Sequence, residues 1–136
     1  MPRTAATSPA GPRLNTTDAT QTAIVTIPTD TDTVVHVTAK ITGVRTDTFA
    51  AAVAYLIQGV FLNDGGSLAI VGSVQAVTTA IESAALSAAS VTMDASGTGV
   101  RVLVTGVAAI NITWAVEADI QVVGLWPNEV NGVPPA

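Results

Sequence analysis

Residues 111–124, NITWAVEADIQVVG, alternate in kind along their length. Ile112, Trp114, Val116, Ala118, Ile120 and Val122 form one series. Asn111, Thr113, Ala115, Glu117, Asp119 and Gln121 form the other. Successive side chains of a strand point to opposite sides, so the pattern predicts a long strand with one buried and one wet face. Residues 33–45 repeat it, with Val35, Val37, Ala39 and Ile41 set against His36, Thr38, Lys40 and Thr42. Residues 53–62, VAYLIQGVFL, are apolar on both faces, as suits a central or interface strand. NDGG at 63–66 can adopt positive φ and predicts a hairpin turn into a returning strand over 67–77. Residues 20–28 are rich in β-branched side chains and stop at Pro28, and TDTD at 29–32 reads as a turn. Strands are also expected over 90–95 and 100–106, joined by SGTG at 96–99.

Residues 78–90 mix helix formers with a capping-box spacing at Thr79 and Glu82, and read as a loop with one or two helical turns. Residues 1–17 hold Pro2, Pro9, Gly11 and Pro12 without periodicity, and predict an extended or disordered arm. Residues 125–136 read as a proline-closed tail. The expected fold is all-β: one domain over 18–124, an antiparallel β-sandwich or jelly-roll-like barrel of about seven strands.

Composition changes this picture in one respect. Hydrophobic residues make up 49% of the chain and charged residues only 11%, with mean hydropathy +0.53. A small soluble monomer carries about 25% charged residues to cover its surface. Membrane spanning is disfavoured, because the longest apolar run, 49–62, is interrupted by Gln58 and Gly59. The expectation is a surface covered by other protein, as in an oligomer or an assembly. The start of the sequence lacks the apolar core of a secretory signal. No cysteine is present, which removes disulfides and thiolate chemistry. The net charge of −5 argues against nucleic acid, whose phosphates need clustered bases. Charge is uneven: residues 1–17 hold Arg3 and Arg13 and no acid, whereas the remainder sets three bases against ten acids.

Candidate chemistry is sparse. The single histidine, His36, sits on the polar face of a strand, and nothing around it reads as a nucleophile elbow. A zinc site lacks a second His or a Cys. Asp30, Asp32 and Asp64 fall in turns, without the ligand series that calcium requires. Glu117 and Asp119 lie two apart on one strand face; a glycosidase would need an opposed carboxylate across a cleft. GTGVRV at 97–102 resembles part of a phosphate loop but leads into a strand. Trp114 reads as core, while Trp126, in GLWPNE, reads as a local plug or an interface anchor. Asn15 and Asn111 head glycosylation sequons that matter only in a secretory pathway. No catalytic, cofactor or metal residue is expected. The candidate partner contacts are Arg3, Arg13, Glu117, Asp119 and Trp126.

The segments TTDATQTAIVTIPTDTDTVVHVTAKITGVRTD (16–47), FLNDGGSLAIVGSV (61–74), VTMDASGTGVRVLVTG (91–106) and NITWAVEADIQVV (111–123) resemble a β-rich domain recurrent in structural proteins of tailed bacteriophages. The resemblance covers roughly residues 16–123. It departs at 46–60, Ala-rich and apolar where Gly and polar residues are expected, and at 78–90. It implies a non-enzymatic virion protein. The first expectation is a capsid decoration (cement) protein, a homotrimer that binds the major capsid protein on the outer capsid surface. The alternative is a tail-fibre or head-fibre domain that binds a host receptor or glycan, with a glycan depolymerase a distant third. The basic arm is expected to gain order by adding to a sheet edge, with the edge beside Glu117 and Asp119 of a neighbouring subunit, or an acidic patch on the capsid, as its partner.

Overall fold

A computed structural model describes residues 11–124. Nine strands run in chain order: β1 (Arg13–Thr16), β2 (Gln21–Pro28), β3 (Thr33–Arg45), β4 (Ala52–Asp64), β5 (Ser67–Ala76), β6 (Ile81–Glu82), β7 (Ser90–Ser96), β8 (Gly99–Thr105) and β9 (Ile112–Gly124). They form two antiparallel sheets. The larger has the order β1-β9-β3-β4-β5, with β6 beside β4, and the smaller is β2-β8-β7. The fold is an all-β sandwich, as the alternation predicts. The two strands beyond the expected seven are the short β1 and β6. Segment 78–90 forms β6 and one 3-10 turn, Ala84–Leu86.

The long strands follow from their alternation. Val35, Val37, Ala39 and Ile41 of β3 are buried, while Lys40 and Thr42 are exposed. β3 is central, matched over most of its length by β4 on one side and β9 on the other. The β4–β5 hairpin turns on Gly65 and Gly66, at φ 62° and 95°. Positive φ at both turn positions matches the strand twist, which is why NDGG was readable as a hairpin. Asp32 also takes positive φ at 61°, and its Oδ1 accepts a hydrogen bond from the Gly65 N–H at 2.9 Å. The crossover from β2 to β3 is thereby tied to the tip of the β4–β5 hairpin.

The core lies between the sheets. Val100, Val102 and Val104 of β8 face Val37, Ile41, Phe61, Ile112 and Trp114 of the large sheet, all fully buried. Trp114 is the largest filler, as its place on the apolar face predicts. Its indole N–H donates to Thr16 Oγ1 at 2.9 Å, and its ring lies 6.4 Å from that of Tyr55. Thr16 is buried too. Residues 13–16, within the segment expected as an extended or disordered arm, form a strand of the sandwich, with Leu14 packed against the core.

Candidate functional site

Two surfaces stand out, and both belong to the large sheet. The first is its outer face, turned away from the sandwich core. Register aligns Val123 with Val34, Val34 with Leu62, and Leu62 with Ala69, one apolar row across four strands. Val60 and Val71 form a second pair one step along the strands. Val123 is 63% exposed, Val71 54% and Leu62 41%. Val34, Leu62 and Val123 line a hollow of about 300 Å³, which Asp32 and Asp64 also line. Among the described residues nothing covers this row. Monomers seldom leave contiguous apolar surface of this kind, because each exposed valine or leucine forfeits its share of burial energy.

Towards the other end the same face turns polar. His36 Nε2–H donates to Gln58 Oε1 at 3.1 Å, with Gln121 and Val60 as its flanking register partners. Thr38 stands opposite Asp119, and Lys40 opposite Glu117. The imidazole is thus committed to an amide on the adjacent strand.

The second surface is the edge of β9. β1 covers this edge only from Ile112 to Ala115, extended by the Val116 N–H donating to Pro12 O at 3.2 Å. The change in burial coincides with the end of that cover. Ile112, Trp114 and Val116 are buried, whereas Ile120 and Val122, on the same side of the same strand, are each 47% exposed. The expectation of one continuous buried face over 111–124 is therefore corrected: only its first half is core.

The predicted contact residues distribute as follows. Arg13 is exposed on β1, opposite Ala115 and diagonal to Glu117. Arg13, Lys40 and Glu117 line one hollow of about 300 Å³ where the chain enters β1. Asp119 lies two residues further along β9, exposed. Arg3 and Trp126 lie outside the described residues. Among the described residues the ion pairs are Arg45–Asp47 and Arg101–Asp94, both at 2.6 Å and both on the surface. No group of three His, Asp or Glu side chains placed to hold a metal occurs among them. No helix among them is long and apolar enough to cross a membrane.

Sequence reasoning marked 53–62 as a central or interface strand but missed that Val34 and Val123 join Leu62 in one outer row. Its signals were present: apolar side chains on both faces of β4, and the consecutive Val122 and Val123, which break strict alternation.

No family model, curated protein or solved structure matches this chain.

Proposed function

We propose that this chain is a structural subunit of a tailed-bacteriophage virion: a capsid decoration (cement) protein that assembles as a homotrimer and binds the major capsid protein on the outer capsid surface. The observation that carries this reading is the apolar row Val123–Val34–Leu62 with Val60 and Val71, of which Val123, Leu62 and Val71 are exposed on the outer sheet face. Such a face is stable in water when another protein covers it. The low charged fraction and the sequence resemblance over 16–123 support the same reading. The role proposed is non-enzymatic and needs no cofactor, nucleic acid or membrane. The one histidine of the chain engages Gln58.

A second reading, a fibre-type domain that binds a host receptor or glycan, draws on Phe49. This side chain is 75% exposed in the β3–β4 connection, at φ 54°. An aromatic displayed on a loop is a ready platform for a sugar ring or an apolar contact. Mass spectrometry of purified capsids with their tails removed tests the choice. The chain is expected on tailless capsids in many copies; recovery with the tail fraction alone selects the fibre reading.

A further inference from the structure

Two costs coincide at Phe49. Its side chain is 75% exposed, and its backbone takes φ 54°. A bulky residue in the left-handed region is disfavoured, because its Cβ crowds the following carbonyl oxygen. The exposed ring also forfeits its burial energy. The loop that carries it is nonetheless fixed. The Arg45 N–H donates to Ala51 O and the Thr46 N–H to Asn111 O, both at 2.9 Å. Arg45 also grips Asp47 through Nε and Nη2, at 2.6 and 3.0 Å. The Thr48 N–H donates to Asp47 Oδ1 at 2.9 Å. An aromatic ring is thus displayed in a preorganised pose, which lowers the entropic cost of docking it.

A hollow of matching size lies at the other end of the same sheet. Val34, Leu62 and Val123 wall a space of about 300 Å³, and an apolar cavity of about 150 Å³ already takes a benzene ring. Asp32 and Asp64 stand at its rim, and among the described residues no lysine or arginine lines it. Aromatic rings are positive at their edge, so an acidic rim suits a ring that enters edge first. Phe49 cannot reach this hollow in its own chain. Its loop follows β3, whereas the hollow sits at the start of β3, 13 residues away, a span of about 40 Å. We propose that Phe49 of one copy seats in the Val34–Leu62–Val123 hollow of the next copy. This inference rests on the homotrimer proposed above and names the contact that builds it. A knob at one end and a hole at the other make a head-to-tail contact, which closes into a ring when the rotation between copies allows. A trimer needs such a pair of unlike surfaces, whereas a two-fold dimer needs one surface that matches itself.

Analytical ultracentrifugation tests it, on the full chain and on two variants of it. Phe49→Gly removes the ring, and glycine accepts φ 54° without strain, so circular dichroism should show an unchanged fold. Leu62→Glu sets a carboxylate into the hollow at an exposed position. Each variant alone should lose the oligomer, its dissociation constant raised by about thirtyfold or more, the factor that one hot-spot side chain is worth. Mixed together, the two variants should form a one-to-one pair and nothing larger, because one intact knob and one intact hole remain between them. An oligomer that survives Phe49→Gly overturns this contact alone: the assembly stands, and Phe49 is left to the receptor reading. Two variants that stay monomeric when mixed also overturn it, since a self-matching interface cannot be rescued this way. A full chain that is monomeric at micromolar concentration overturns the homotrimer and this contact with it.

Discussion

Gly43 lies under the ring of Trp114. A Cβ at this position would meet Trp114 Cε3 at 2.8 Å and Ile112 Cγ2 at 3.1 Å. The largest side chain of the core therefore fits because its cross-strand neighbour has none. Gly43→Ala is expected to destabilise the fold by about 1–3 kcal/mol through overpacking, read as a lower urea midpoint with an unchanged slope. Tyr55 works beside the same ring. Its hydroxyl donates to Glu82 Oε2 at 2.6 Å, with Ala89 O 3.1 Å away. Burial first, and the Glu82 carboxylate second, push its ionisation well above the ordinary tyrosine value. The sign follows: the folded state holds this proton where the unfolded state releases it, above about pH 10. The stabilisation is fully present below that pH and is lost as pH rises past it. Urea midpoints should fall progressively as pH rises above about 10, where the unfolded tyrosine ionises and the folded one keeps its proton. Tyr55→Phe should flatten that fall, at a cost of about 1 kcal/mol near neutrality for the lost hydrogen bond. The chain has one tyrosine, so its ultraviolet titration reads this group alone.

At the scale of elements, β1 does more than its four residues suggest. It covers the edge of β9 over Ile112–Ala115, places Leu14 against the core and supplies Thr16 as acceptor for the Trp114 indole. Thr16 in turn fits because residue 106 is glycine, where a Cβ would stand 2.5 Å from Thr16 Oγ1. Removal of residues 1–16 should strip these contacts together. It would leave the buried indole N–H without its partner, a loss of about 1–3 kcal/mol by itself. Thermal melts followed by near-ultraviolet circular dichroism, to which the buried Trp114 and Tyr55 contribute, should show a large drop in Tm for this deletion. Removal of residues 2–10 should leave the core transition cooperative, because β1 and its contacts remain. Equal melting of the two truncated chains would mean that β1 contributes nothing beyond the segment before it.

For the whole molecule, the decisive quantity is the apolar surface left on the outer face of the large sheet. A trimer that covers it is expected to be stable at micromolar concentration, and light scattering should give three times the chain mass. A monodisperse monomer would sink the assembly reading; a dimer would keep it and change the symmetry. Leu62→Glu and Val123→Glu put carboxylates into the row beside Asp32 and Asp64, both lining the same hollow. Both positions are exposed, so the fold should survive while the oligomer dissociates by more than about tenfold, since like charges brought together at an interface cost several kcal/mol. Glu117→Gln, towards the polar end of the same face, should leave the assembly intact.

The alternation of β3 and of the first half of β9 was legible in the sequence, because a half-buried strand turns every second residue away from the core. The hairpin at Gly65–Gly66 was legible for a local reason too, since few residues other than glycine adopt positive φ at both turn positions. Trp114 could be placed in the core from its position in the β9 alternation. Of the contact residues, the sequence marked Arg13 and Glu117 by charge, and the structure brings them to one hollow at the start of β1. What periodicity could not say is how far the second sheet and the first strand reach. Ile112 and Ile120 share one face of one strand, yet one is 1% exposed and the other 47%. The difference lies in cover by β1 and the small sheet, which are distant in sequence from this end of β9. Likewise Val34, Leu62 and Val123 form a row only through the register of β3 with its neighbour β4 and with β9, which is distant in the chain. Periodicity is a property of neighbours along the chain and assigns each side chain a side; cover depends on contacts between distant segments, so the tertiary structure alone decided which apolar sides became core and which became surface.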